Sequence, residues 1–535
     1  MTGCDFCDFS RPGRYKLHRS CEMYNGGPCD VCTNLEDLDS KILASKAALE
    51  LLVEQHRRLR TQANKKHDRI TRLLPAEIIS SIFTFCMPEI PPAEDGALRT
   101  IGKDKLATRF VLSAVCRDWR SIALSTPQLW CLIVISLETS NLAEHFSASR
   151  ELIARSGRLP LSIDIFSDVL SEKPDPEDMD GFYSLIQLIN EQASRWHILE
   201  LEIPTPFFSR FSGVCGPIHR LRRFRLHPIS VDSKTFKFGM CDGKLEPEEL
   251  RVQNVRLKAV DISWNWVTYA HLTQFRIDEC FEFLRRTPRL EECFFEAIWG
   301  RNEKNLEFPI GPNVLHSQLQ CLSVSSPQIN LLFDNITVPA LQILDCRKLY
   351  EIPADAILSL LGRSGCILEK LLLTAAYDFE ATDLIALLEK IPSIQGLQLY
   401  TKGLRASSPD TLFEHLASTS VWKQGCSGNN FLPELKNLCY VHFESREPFS
   451  WSLIPDIFGP ISCSGESHRR PLESIDLQID YSPKHGHIDK VPLSRILTVL
   501  DAGMCISITA SGSGKEIDYI DVSAKYHGIE RKRPM

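Results

Sequence analysis

Three patterns of apolar positions succeed one another along the 535 residues of this chain. In the first, Leu35, Leu38, Ile42, Ser45, Leu49, Leu52, His56, Leu59, Ala63, Lys66, Ile70 and Leu73 recur at alternating steps of three and four. That is the seam of a heptad helix, and no Gly or Pro interrupts it. Ser45, His56 and Lys66 break its apolar character, so two readings stand side by side: a helix that homodimerises through 35–72, or a long helix whose stripe packs on its own protein. The second pattern, over 73–130, holds two helical faces. Pro75 suits a first helical turn, where its missing N–H is not needed. Ile78, Ile79, Ile82, Phe83 and Cys86 then give one broad apolar face. Pro88, Pro91-Pro92 and Glu94-Asp95-Gly96 mark a loop. The pattern resumes at Leu106 with Phe110, Val111 and Ala114, and continues through Val115, Trp119, Ile122 and Ala123. Thr126-Pro127 ends it ahead of a short apolar strand, CLIVI.

Beyond residue 150 the third pattern is Φ-x-x-Φ-x-Φ, with Φ apolar. It begins as Ile198-Leu201-Ile203, Leu221-Phe224-Leu226, a degenerate Pro247-Leu250-Val252, Leu272-Phe275-Ile277 and Leu290-Cys293-Phe295, and continues from Leu319, Leu341, Leu368, Ile394, Leu435 and Leu472. First positions differ by 23, 26, 25, 18, 29, 22, 27, 26, 41 and 37 residues. Most of these bracket the period of roughly 20–29 residues that leucine-rich repeats use. A short strand in each copy turns alternate side chains inward, and strands stacked side by side build one apolar column. Helices over 281–286, 353–361 and 381–390 would return the chain. The two wide gaps mean loop insertions or a partly different C-terminal fold. The pattern predicts an α/β protein: a heptad helix, a small helical motif, an irregular leucine-rich-repeat-like solenoid over 131–500, and strands with a basic tail over 501–535.

LPAEIISSIF followed by LSAVCRDWRSIALSTPQLW resembles an F-box, the three-helix adaptor-binding motif of SCF-type ubiquitin ligases. The Leu-Pro-x-Glu-Ile opening, the Val-Cys-Arg-x-Trp-Arg centre and the Pro-x-Leu-Trp close are all present. The chain departs from the motif in an insert, 88–107, where typical F-boxes have a shorter link. Such an insert, and a heptad helix just before the motif, also resemble F-box proteins of mushroom-forming (basidiomycete) fungi. The resemblance implies a Skp-type adaptor as partner, bound by Leu74, Pro75, Ile78, Ile79, Ile82 and Phe83 on one side and Val115, Cys116 and Trp119 on the other. Some of these nine would face the motif's own core instead. It further implies that the array holds a target protein for ubiquitin transfer. The alternative is a scaffold whose F-box does not act in ubiquitination.

Residues 1–34 carry Cys4-x2-Cys7 and Cys29-x2-Cys32, with 21 residues between the pairs. Tetrahedral zinc takes four such ligands from two turns, so Cys4, Cys7, Cys29 and Cys32 are the simplest structural zinc set, with His18 or Cys21 able to replace a member. The other reading is a disordered leader. No further cofactor is expected. A net charge of −7 argues against a nucleic-acid partner. The first residues lack the apolar core of a secretory signal, and no window nears the roughly 18 apolar residues needed to cross a membrane. Most of the nineteen cysteines lie scattered in apolar runs, as small hydrophobes do in a reducing cytoplasm or nucleus. Ser511-Gly512-Ser513-Gly514-Lys515 lacks the frame of a nucleotide loop and reads as a hairpin or strand connection. No nucleophile-and-base motif occurs, so the chain reads as a non-catalytic interaction protein.

Overall fold

The computed structural model describes residues 29–67, 69–92, 98–137, 142–167, 176–213, 220–229, 237–241, 243–300, 313–375, 379–401, 404–405, 410–423, 430–442, 450–460, 467–480, 486–512 and 515–529. Two compact units divide the chain: residues 1–88 with 103–129, and residues 89–102 with 130–535.

The first unit is helical. Helix α1 (Asp30–His67) carries the heptad seam, followed by α2 (Arg69–Leu73). Its start lies ahead of the expected residue 35, because nothing between Asp30 and Leu35 opposes a helix and Asp30 complements the positive end of its dipole. Among the described residues the middle of the seam stays uncovered: Leu38, Leu49, Leu52 and Leu59 are all exposed. Three shorter helices follow, α3 (Ala76–Phe85), α4 (Lys103–Val115) and α5 (Arg117–Leu124). Pro75 stands one residue outside α3, where its carbonyl accepts the N–H groups of Ile78 and Ile79 at 3.1 and 3.2 Å. Cys116 caps α5, its Sγ accepting the Trp119 N–H at 3.4 Å.

The second unit is mixed α/β around a large, mostly parallel sheet. Among the described residues fifteen strands pair in chain order: β1 (Leu132–Ser136), β2 (Leu161–Phe166), β3 (Trp196–Ile203), β4 (Arg220–Pro228), β5 (Glu246–Gln253), β6 (Tyr269–Thr273), β7 (Glu292–Glu296), β8 (Cys321–Ser325), β9 (Ile343–Leu349), β10 (Lys370–Ala375), β11 (Gly396–Thr401), β12 (Asn437–His442), β13 (Ser474–Asp480), β14 (Cys505–Gly512) and β15 (Lys515–Asp518). All neighbours are parallel except β14 and β15, which pair antiparallel. The parallel sheet therefore runs past residue 500 through 505–512, before β15 folds back antiparallel.

Register turns the sequence pattern into two buried rows. One runs through Ile163, Leu199, Phe224 and Leu250, the other through Ile165, Leu201, Leu226 and Val252. From β7 onward the second and third positions of each Φ-x-x-Φ-x-Φ copy occupy these rows without a slip, as Leu322 and Val324 or Leu344 and Cys346 illustrate. Two copies are out of phase. The rows take Leu199 with Leu201 and Ala270 with Leu272, so the copies there start at Trp196 and Val267 rather than at Ile198 and Leu272. The spacings of 25 and 18 residues thereby become 20 and 23.

A backbone feature repeats with the same phase. Asn254, Gln274, Ala297 and Lys348 each stand two residues after the last in-row side chain, and all four have φ between 50° and 60°. The N–H groups of the first three donate to Thr273, Glu296 and Ser325 of the next strand, at 2.8–2.9 Å, as each chain turns out of the sheet.

After β8 the returns are helical. Ile329–Asp334, Ala354–Ser364, Ala381–Glu389, Asp410–Ser418, Leu453–Ile457 and Lys490–Asp501 follow successive strands, and each packs on the next. Earlier returns are less regular, and 3-10 turns at Leu257–Ala259 and Trp264–Trp266 connect β5 to β6. The wide gaps are loop insertions, because β11, β12 and β13 remain parallel neighbours across them. One fully buried cation organises the first insertion. Arg470 donates to the carbonyls of Leu416 (2.9 Å), Phe431 (2.8 Å) and Leu432 (3.2 Å), so its charge is met by backbone dipoles. Among the described residues no helix is long and apolar enough to cross a membrane.

Candidate functional site

Helix α3 separates its apolar residues into two stripes one residue out of step. Ile79 and Phe83, four apart, are both about 1% exposed. Phe83 packs its ring 4.9 Å from that of Trp119, so these side chains form the core of the helical unit. Thr126 fastens the same region, its hydroxyl 2.9 Å from Ser80 Oγ and 2.7 Å from the Ile122 carbonyl. The neighbouring stripe, Leu74, Ile78, Ile82 and Phe85, faces outward, with Ile78 48% and Phe85 89% exposed. Helix α4 adds Phe110, Val111 and Val115, also exposed.

The nine residues expected to meet an adaptor thus divide. Leu74, Pro75, Ile78, Ile82 and Val115 are exposed, Cys116 and Trp119 are half-buried, and Ile79 and Phe83 are interior. Phe85, Phe110 and Val111 belong with the exposed set although the motif match did not single them out. Uncovered large apolar side chains at this density on a small unit mark an interaction surface.

The insert contributes to the other unit. Pro91, Leu98 and Arg99 reach the first strands of the sheet on the face opposite the apolar rows. There Asp164, Glu200, Arg225, Arg251 and His271 lie side by side on successive strands. Leu98 is fully buried and its N–H donates to Glu200 Oε2 at 2.8 Å. The next N–H, of Arg99, donates to Asp164 Oδ2 at 2.8 Å, and the Arg99 guanidinium pairs with Glu202. Arg223, wholly buried, reaches the Pro91 carbonyl at 2.8 Å while pairing with Glu249 (2.7 Å) and Glu200 (3.4 Å).

Burial and the adjacent Glu200 push the Asp164 carboxyl up to about 7. Glu202 goes the other way. Burial opposes its charge, but hydrogen bonds from His227 and Arg99 outweigh burial and hold it at about 2. Sequence reasoning missed this docking. Its one local signal is that Asp164, Glu200 and Glu202 interrupt strands apolar on both sides.

Beyond the docked insert the same face carries a small cavity of about 70 Å³ lined by Arg225, Arg251, Gln253, His271 and Thr273. Burial, then the charge of Arg251, holds the His271 imidazole below its ordinary pKa. Arg251 Nε is buried without a hydrogen-bond partner among the described residues. A larger open groove of about 680 Å³ holds Ser420, Asp456, Arg495 and Thr498, with Asp456 and Arg495 paired to each other.

Of the candidate zinc ligands, Cys29 and Cys32 are together at the start of α1, Sγ to Sγ 3.4 Å. Cys4, Cys7, His18 and Cys21 lie outside the described residues. Among the described residues no three His, Cys, Asp or Glu side chains group as a metal site. Neither a family model nor a curated protein matches the chain.

Proposed function

We propose that this chain is a non-catalytic receptor subunit of an SCF-type ubiquitin ligase. Its F-box-like helices bind a Skp-type adaptor, and the sheet unit is an irregular leucine-rich-repeat-like solenoid that holds a target protein. The observation that carries the reading is the exposed stripe Leu74, Ile78, Ile82 and Phe85 beside a core already closed by Ile79, Phe83 and Trp119. A scaffold with a vestigial motif has no need to keep that stripe uncovered. The ordered left-handed turns and in-phase rows support the solenoid half. The chemistry is done elsewhere. This chain raises the effective concentration of target near the charged enzyme.

Binding of purified adaptor to the full chain, followed calorimetrically, tests the adaptor half. Leu74→Asp with Ile78→Asp is expected to abolish micromolar binding, since two carboxylates in an apolar contact cost several kcal/mol, on the order of a thousandfold or more. Because both positions are exposed, the urea midpoint should stay at the wild-type value. Phe83→Ala is the contrasting variant, expected to lose about 3–5 kcal/mol of stability by opening a cavity. Failure of the wild type to bind, or undiminished binding by the double variant, overturns the reading.

A further inference from the structure

We infer that two copies of this chain associate through α1 as an antiparallel coiled coil, in the register that sets Leu49 of one protomer against Leu52 of its partner. The inference rests on α1 alone and is independent of the receptor reading. The helix has 38 residues, so at 1.5 Å per residue it is roughly 57 Å long. Four of its seam leucines are more than half exposed, Leu38 and Leu49 at 53%, Leu52 at 59% and Leu59 at 64%. A helix draws most of its stability from packing an apolar face, and among the described residues no other element covers these leucines.

Polar seam residues and flanking charges then choose the partner's direction. A parallel, in-register pair stacks Lys66 on Lys66 and His56 on His56, and its flanking positions bring Lys41 against Lys46. Three antiparallel registers, one heptad apart, overlap most of the helix. One of them sets Lys46 against Lys46, and another sets Lys46 against Arg60. The remaining register sets Asp39 against Arg60 of the partner copy, twice by symmetry, and places no like charges side by side.

That same register stacks Ile42 on Leu59 and Leu49 on Leu52. It faces Ser45 with His56, so the two polar seam residues meet each other, hydroxyl to imidazole, rather than a leucine. Lys66 meets Leu35 close to the end, where its stem can cover the leucine while the ammonium stays in water. Seam polarity and flanking charge, which are separate features of the sequence, select one register.

Sedimentation equilibrium of the full chain tests it. The expected result is a species of twice the monomer mass. Asp39→Arg and Arg60→Asp should each raise the dimer Kd about tenfold or more, because each places two like-charged pairs across the seam. The combined exchange should return the Kd to within about threefold of wild type. A parallel coil faces these positions with Asn34 and Gln55, so the exchange would have nothing to rescue. Far-UV circular dichroism accompanies each variant, and helix lost in a single change must reappear in the combination. A monomeric wild type, single variants with wild-type Kd, or a combination no better than either single change overturns the proposal.

Discussion

Ala297 is held at φ 53°, where the Cβ of an L-residue crowds its own carbonyl. Gln274 and Lys348 share the conformation at the equivalent place, and Asn254 shares it with a side chain that tolerates it better. At Asn254, Gln274 and Ala297 the conformation persists because it lets the N–H reach the next strand before the chain leaves the sheet. Glycine lacks the crowding atom, so Ala297→Gly should raise stability by about 0.5–1 kcal/mol after its larger unfolded-state entropy is subtracted. Asn254→Gly should gain less. In urea unfolding the sign is a higher midpoint at unchanged slope. A lower midpoint for Ala297→Gly would mean that the methyl group makes contacts worth more than the strain.

At the scale of elements, the seating of Leu98 and Arg99 on β2 and β3 depends on two carboxyls displaced in opposite directions. Between about pH 4 and 7 the unfolded chain releases the Asp164 proton while the folded chain keeps it, so stability falls as pH rises through that window. Glu202 acts below the window: its stabilisation is complete above the ordinary carboxylate range and is lost as pH falls toward 2. In Asp164→Asn the amide oxygen can still accept the Arg99 N–H, and nothing titrates there. Relative to this variant, the wild-type urea midpoint should decline from pH 5 to pH 7; parallel midpoints across that range would contradict the assignment. None of this was legible in the sequence, because Leu98 and Glu200 are 102 residues apart and meet only through tertiary structure. The strand rows were legible wherever one frame of apolar residues dominates. They slipped at β6 because Ala270 is too small to register as a core position and Leu272 belongs equally to a second frame with Phe275 and Ile277. On β3, apolar residues at 196, 198, 199, 201 and 203 satisfy two frames at once. On α3 the exposed pair Ile78 and Ile82 and the core pair Ile79 and Phe83 are both apolar and four apart, one residue out of step, so which pair faces inward is decided by Trp119 packing on Phe83.

For the molecule as a whole, the open problem of a parallel sheet built in chain order is its last edge. Each strand's unpaired N–H and C=O groups are covered by the next strand, and the final one needs a different solution. Here β14 pairs with β13, and antiparallel β15 folds back on β14. The helix Lys490–Asp501 rests on β14, as does Tyr519–Tyr526. A boundary at residue 500 would cut this arrangement in two. A chain ending at residue 500 should bare the whole length of β13, together with the apolar side of Lys490–Asp501, where Leu493, Ile496 and Val499 are now buried. Loss of soluble protein, or a clearly lower urea midpoint for whatever remains soluble, is therefore expected. Removing only residues 530–535 should leave the midpoint where it was. If residues 501–535 were instead a dispensable tail, the two shortened chains would unfold at the same urea concentration as the full chain. That result would show that β13 can end the sheet unaided and that β14 and β15 do not close it.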